Sequence, residues 1–417
     1  PETFAQWIEA IPAHSEISLY MHVPFCRRLC WFCACRTQGT SSDTPVLAYA
    51  QVLKAEIALL QRHLAPGVKL SRLHWGGGTP TLLTGPMITE LAAAVANVAP
   101  FAKDYEFSVE IDPCEVDDAR LDALAAAGMN RASIGVQDFD EDIQKTIGRP
   151  QGFDVTRTAV EGIRARGVKS LNADILFGLQ HQTDAKITDT VQKLLSFSPD
   201  RVALYGYAHV PWMAKRQQMI PSDALPTPEE RLDLFDVARR LFLWDGFREI
   251  GIDHFALPTD GLAQAQSKGM LKRNFQGYTN DPADVLIGVG ASAISRFPQG
   301  YAQNESATGA HTGAIRDGRF SVHRGHAFTA EDRLRGRIIE ALMCDFEVIP
   351  QEIGAEFAIA PNLVAQILAK ARAALPNVLE MNDGILSIPP EARPLTRIIA
   401  RQFDAYDLSK AGHSSAI

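Results

Sequence analysis

Four cysteines crowd into ten residues, Cys26-Arg27-Arg28-Leu29-Cys30-Trp31-Phe32-Cys33-Ala34-Cys35, while Cys114 and Cys344 stand alone. Thiolates separated by three and then two residues let one loop wrap a compact metal centre. A structural zinc takes four ligands and normally draws them from two separate knuckles. No second cysteine pair exists here, and His14 and His22 both precede the loop. Three thiolates on one short arc instead suit a cubane iron–sulfur cluster whose fourth iron is open to an exchangeable ligand. Cys33-Ala34-Cys35 is cramped for two corners of one cubane, so Cys35 reads as a free thiol near the site. Structural zinc is the competing reading of the same cysteines. Trp31 and Phe32 would keep water from a low-potential centre. Further on, Gly76-Gly77-Gly78-Thr79-Pro80 lets the backbone approach a ligand closely, and reads as a cradle for the amino group of an amino-acid ligand.

These residues need elements to hold them. Short β-rich runs at Ser18–Val23, Leu70–Trp75, Tyr105–Ile111, Arg131–Val136, Ser170–Phe177, Arg201–Tyr207 and Arg248–His254 alternate with amphipathic stretches such as Thr44–Leu64, Met87–Val98, Asp117–Ala127, Asp154–Ala165, Lys186–Leu195 and Pro228–Asp245. Apolar residues recur in the latter at three and four positions, the helical period. Strand–helix–strand units predict parallel strands with right-handed crossovers, hence an open α/β sheet or a (β/α) barrel. Chemistry in such folds collects where strands end. The cysteine loop follows the first strand, the glycine run the second, Glu110 and Asp112 end the third, and Gln137 and Asp138 end the fourth. Asp174 lies within the fifth, and Tyr205, Tyr207, Ala208 and His209 mark the end of the sixth. Six strands aim polar groups at one mouth.

From about residue 326 the pattern becomes helical. Thr329–Leu342 reads as a helix with a Thr cap and Glu331 and Asp332 in its first turn. Pro361–Ala374 reads as another, and Gly384–Ser387 as a short strand. Gln299–Arg319, rich in small and polar residues, reads as a loop. The expected division is a catalytic domain over residues 1–323 and a small, mostly α-helical C-terminal domain over 324–417.

Composition narrows the function. Forty-one basic against forty-nine acidic residues give a net charge of −8, and 46% of the chain is hydrophobic. A mildly acidic chain without a basic block is a poor nucleic-acid binder, and no apolar run approaches the length of a membrane span. One knot of cysteines in a long chain points to a metal in a reducing compartment, the cytoplasm, rather than to a disulfide framework. The absence of an initiator Met before Pro1 reads as a trimmed terminus.

The Cys-x3-Cys-x2-Cys loop resembles the signature of radical S-adenosylmethionine (SAM) enzymes. The strings Tyr20-Met-His-Val-Pro-Phe-Cys26, His74-Trp-Gly-Gly-Gly-Thr-Pro80, Ser133-Ile-Gly-Val-Gln-Asp-Phe139, Asp253-His-Phe-Ala256, Asn274-Phe-Gln-Gly-Tyr-Thr279 and Tyr301-Ala-Gln-Asn304 resemble the oxygen-independent coproporphyrinogen III oxidases. The likeness runs from about Ser18 to beyond Phe403. It implies a partial (β/α)6 TIM-like barrel of the radical SAM type. It also implies a 4Fe–4S cluster on Cys26, Cys30 and Cys33, whose open iron chelates SAM, with two SAM molecules bound in all.

By the same resemblance, Tyr20, Phe32, Gly77, Gly78, Thr79, Glu110, Gln137, Arg149, Asp174, Ala208 and Ile294 bind SAM, and Cys35 and Tyr20 take part in catalysis. The implied substrate is a tetracarboxylate porphyrinogen, two of whose propionates become vinyl groups in haem biosynthesis. A low-potential electron donor supplies the cluster, and the protein acts as a monomer. A radical SAM methyltransferase or cyclase and a haem chaperone of the same family are the alternatives; Asn274–Thr279 and Cys35 argue against them. Taken singly, His209 and His254 read as structural histidines and Cys114 and Cys344 as buried thiols. Arg27, Arg28, Arg36 and Arg273 are candidates for gathering the substrate's carboxylates. The run Arg36-Thr37-Gln38-Gly39-Thr40 departs from the family's usual residues, and the resemblance implies a further arm ahead of Pro1.

Overall fold

In the computed structural model, which describes residues 1–406, twelve strands form one mixed sheet flanked by helices. Its centre is parallel: β1 (Glu16–Val23), β2 (Lys69–Gly77), β3 (Phe101–Ile111), β4 (Arg131–Gln137), β5 (Ser170–Phe177) and β6 (Arg201–Gly206) lie side by side in chain order. The crossovers carry α1 (Thr44–Gln61), α2 (Gly85–Val98), α3 (Asp118–Ala126), α4 (Phe153–Ala165) and α5 (Asp184–Leu195). This is the six-unit partial barrel that the family resemblance implies, and one of the two architectures the βα alternation allows. Its strands are buried on both faces, as parallel strands under helices must be. Asp117 and Thr183 open α3 and α5 by accepting hydrogen bonds from backbone N–H groups that the first helical turn leaves free.

Past β6 the sheet turns antiparallel. Residues 248–254, expected as one strand, form instead the hairpin β7 (Arg248–Ile250) and β8 (His254–Ala256), with β8 paired to β6. The chain folds back at Gly251, whose φ of +56° suits glycine and whose missing side chain leaves room for the Tyr278 ring. A separate hairpin, β9 (Lys272–Asn274) and β10 (Gly277–Thr279), follows. On the other side, β11 (Leu286–Val289) pairs parallel with β1 and is extended by β12 (Ile294–Phe297), β13 (Gly300–Asn304) and β14 (Val322–Ala327). The stretch 299–319 is therefore not the expected loop. It holds β13 and a helix at Thr308–Arg316, which bury Ala302, Asn304, His311 and Ile315 beneath a polar surface.

A layer of charge closes the N-terminal end of the barrel. Arg201 clamps Asp260 at 2.7 Å, and Arg131 lies between Asp260 and Glu106. Burial, reinforced by the neighbouring Arg131, lowers the Arg201 pKa to about 10. Beyond β14, α6 (Pro228–Trp244) having already closed the barrel, the chain forms α7 (Ala330–Asp345), α8 (Pro361–Ala374), α9 (Thr396–Ala400) and a three-stranded sheet. Thr329 and Asp332 cap α7 reciprocally, as the sequence predicts. A second apolar cluster, including Ile338, Leu342, Val364, Leu368, Ile399 and Phe403, packs these elements together. Among the described residues no helix is long and apolar enough to cross a membrane.

Candidate active site

The C-terminal ends of the parallel strands place the expected site residues around one mouth. Tyr20 on β1 lies beside His74 of β2 in register, and the two rings stack at 5.6 Å between centroids. The Tyr20 hydroxyl meets His22 Nδ1 at 2.8 Å. His74 Nε2 lies 3.2 Å from Glu110 Oε1 on β3, and the Gly77 N–H donates to Glu110 Oε2 at 2.9 Å. Burial pushes the Glu110 carboxyl up, but these partners and the nearby His22 outweigh it and hold the group below its usual range. Sequence reading missed His22 and His74. Their period-two spacing from Tyr20 and Gly76 was the available signal.

The cysteine loop is stitched to the glycine run. Gly78 donates its N–H to the Val23 carbonyl and Thr79 to the Phe25 carbonyl, both at 2.8 Å. Cys30 is buried, Cys26 and Cys33 are half-buried and Cys35 is exposed. A hydrogen bond from the Cys35 thiol, helped by Arg216 and Arg149, lowers the Cys33 pKa to about 6 against the opposing effect of burial. The Cys26 thiol is pushed up by burial. Gln217 ties the Phe32 and Ala208 carbonyls together at 2.7 and 3.0 Å, and Arg216 donates to the Thr37 carbonyl at 3.0 Å.

Opposite the loop, Arg149 places Nη1 at 3.5 Å from both Cys30 Sγ and Asp112, and donates to the Gly135 carbonyl at 3.0 Å. Gln137, at a φ of +70°, brings its amide to the same side of Gly135 as the Arg149 fork. Asp174 accepts from Asn172 at 2.8 Å and from Ser133 at 3.4 Å. Burial nonetheless raises its pKa to about 6, with the Glu110 charge adding to the rise. Ile294 lies two strands from Tyr20: its carbonyl crowds Gly288, the register partner of Tyr20. Two expectations change. Cys114 is exposed beside Arg28, not buried, although Cys344 is buried. Arg27 is paired with Asp43, Arg28 with the Pro150 carbonyl, and Arg273 lies over the Tyr278 ring, so these three have partners within the protein.

Residues 20–194 match the model of the Radical SAM superfamily. The oxygen-independent coproporphyrinogen III oxidase of Paracoccus denitrificans (strain Pd 1222) is 64% identical over 414 residues, covering 99% of this chain and 92% of that one. Its counterpart in Escherichia coli (strain K12) is 34% identical, covering 97% and 89%. The solved coproporphyrinogen III oxidase from Escherichia coli, described as a radical SAM enzyme, superposes with a TM-score of 0.92 at 33% identity, over 98% of this chain and 94% of that one. The chain belongs to the oxygen-independent coproporphyrinogen III oxidase family.

As a radical SAM member of that oxidase family it uses a 4Fe–4S cluster and SAM, and its residues fit both. The Cys26 thiol lies close enough to Cys33 and Cys30 to feel the charge of both. Among the described residues no His, Cys, Asp and Glu side chains are gathered for a single metal ion; cubane thiolates grip separate irons and stand further apart than the ligands of one ion. His22 Nε2 and Arg149 Nε are buried without a partner at this mouth, leaving polar groups for a ligand to satisfy.

Two predictions arise here for this oxidase-family chain. Cys35→Ser is expected to keep the iron content and visible absorption of the cluster while losing vinyl-product formation; full turnover in the variant removes Cys35 from the mechanism. For the cofactor-free protein, Asp174→Asn is expected to be more stable than the native chain at neutral pH by about 1–3 kcal/mol. Because the folded pKa of Asp174 lies above its unfolded value, the folded state holds that proton more tightly, and stability falls as pH rises from about 4 to about 6. Unfolding free energies by denaturant across that window check it: the native chain shows the extra slope and the variant lacks it.

Proposed function

We infer that the chain converts coproporphyrinogen III to protoporphyrinogen IX without oxygen, decarboxylating two propionates to vinyl groups in haem biosynthesis. The observation that carries this reading is identity at 64% across nearly the whole chain, cysteine loop included, to an oxidase so named. The likeness is not confined to the radical SAM core, which many chemistries share.

Cys26, Cys30 and Cys33 hold the cluster, and the strand ends around it hold two SAM molecules. When bound and reduced, the cluster supplies one electron to the SAM sulfonium, releasing methionine and a 5′-deoxyadenosyl radical able to take hydrogen from an unactivated carbon. The chain's residues supply position and dryness. Gly77, Gly78 and Thr79 present backbone groups to the methionyl amine, with Glu110 anchoring Gly77 from behind. Tyr20, stacked on His74, offers a flat face at the mouth, and Ile294 fills the wall beyond β1. Arg149 and Gln137, converging beside Gly135, are placed to receive a carboxylate. Phe32 and Ala208, tied by Gln217, and the half-buried Asp174 complete the proposed SAM-binding set. Trp31 and Phe32 pack on the apolar cluster of Leu176, Leu179 and Tyr207 and exclude water. The radical would take a hydrogen atom from the propionate β-carbon, becoming 5′-deoxyadenosine, and the substrate radical would lose carbon dioxide and one electron, the latter to an external one-electron acceptor, to leave the vinyl group. Cys35, whose thiol faces the same mouth, and Tyr20 are the residues proposed to act on the substrate.

A low-potential electron donor serves this chemistry, and a monomer in the cytoplasm suits an acidic chain with free thiols. The division at residues 323 and 324 belongs to the same proposal, supported by the separate apolar cluster of the C-terminal part. The test is anaerobic incubation of reconstituted protein with coproporphyrinogen III, reductant and SAM. Vinyl product and released methionine are expected; methylated product, or bound haem without turnover, overturns the reading.

A further inference from the structure

One histidine at the mouth is held as a tool rather than as filling. His254, at the start of β8, is 7% exposed, and its Nδ1 lies 2.6 Å from Asp253 Oδ1. Asp253, itself buried, gives its other oxygen to Arg397 of α9 at 2.8 Å. Its carboxyl is pushed up by burial but held lower overall by His254, Arg397 and Arg273, so the carboxylate accepts the Nδ1–H. With Nδ1–H engaged in this way, an imidazole in its neutral form has its lone pair on Nε2. Tyr205 and Tyr278 meet the ring edge-on at 5.7 and 5.4 Å and fix its plane. The ring edge bearing Nε2 comes within 3.7 Å of the open side of Gly277, and the Tyr205 hydroxyl within 4.0 Å of the same spot.

This spot belongs to the site. Tyr205 senses the charges of Asp174 and Glu110, and Asp174 senses His254. The groups facing His254 are Asp174 of β5, Tyr205 of β6, Asp253, Tyr278 of β10, and, beyond them, Arg273 and Arg397. A lone pair and a hydroxyl, backed by the carboxylates of Asp174 and Glu110, disfavour a ligand carboxylate and favour an N–H donor. Resting on the function inferred above, we propose that His254 Nε2 accepts a hydrogen bond from a pyrrole N–H of the porphyrinogen, with Asp253 and Arg397 as positioning residues that fix its tautomer. The tetrapyrrole ring, rather than its carboxylates, is what this corner recognises. The C-terminal part thereby reaches the site: Arg397 sets Asp253, and the Tyr278 hydroxyl is anchored on the Met343 carbonyl of α7 at 2.7 Å.

The test measures anaerobic equilibrium binding of coproporphyrinogen III without reductant, so that it does not depend on turnover, together with SAM binding, cluster absorption and thermal melting. His254→Phe is expected to weaken porphyrinogen binding about tenfold, leaving SAM binding and cluster absorption unchanged. Arg397→Met is expected to weaken it by a smaller factor, and Arg397→Lys to restore most of the loss. Unchanged porphyrinogen affinity in His254→Phe, or a loss confined to SAM, overturns the proposal. So does an Arg397→Met defect that appears only as lowered melting and is not relieved by Lys. If the native chain binds porphyrinogen in this manner but yields no vinyl product, the inferred reaction fails and the binding role stands.

Discussion

Cys30→Ala is expected to abolish the broad visible absorption of the cluster and to reduce vinyl-product formation to background. Of the three proposed ligands Cys30 is the buried one, and its sulfur faces the Arg149 guanidinium at 3.5 Å. Loss of that sulfur leaves an iron with no protein ligand. It also leaves a buried Arg149 with Asp112 alone to balance it, so the loop loses both its metal and one of its internal contacts. Iron analysis and absorption of anaerobically reconstituted protein check this: an unchanged spectrum excludes Cys30 as a ligand.

Gly78→Ala is expected to weaken SAM binding by at least about tenfold and to lower iron retention, through crowding rather than lost chemistry. An added Cβ would stand 2.6 Å from the Phe25 carbonyl oxygen and 3.0 Å from Cys26 Sγ. Neither is the yielding tip of a flexible side chain: one is backbone of the cysteine loop and the other a cluster ligand. The Gly78 and Thr79 N–H bonds to that loop would have to lengthen together. Gly152→Ala is the control. Nothing lies within 4 Å of its Cβ position, and its stability should stay within about 0.5 kcal/mol of native. Equal SAM affinity in both variants defeats the claim that the glycine run holds the cofactor by close approach.

The parallel core and the cysteine loop were legible because their signals are local. Ligand spacing within residues 26–35 and the alternation of strands with amphipathic helices need no knowledge of distant neighbours. What the chain concealed depends on register. Glu110 gains its character from His74 and the Gly77 N–H, and Arg149 from Asp112 and Cys30; no local pattern shows that these will meet. Residues 248–254 read as one strand because a corner at Gly251 is needed only once Tyr278, remote in sequence, has taken the space beside it. The stretch 299–319 looked unstructured because its strand and helix hide small inward faces under polar outward ones. His254 read as a structural histidine because Tyr205, Tyr278 and Arg397, which surround it and its neighbour Asp253, come from three remote segments.

Strand β1, near the start of the chain, lies between β2 and β11 and so has neighbours some distance apart in synthesis. As the protein emerges from a ribosome, the β2 side can zip at once, while the other flank presents bare amide and carbonyl groups until residues 286–289 are made. Tyr20 and the cysteine loop hang from that half-finished strand, so the iron pocket cannot close before most of the polypeptide has been translated. The wall that β11 adds beside Tyr20 is thus among the later parts of the site to be laid down.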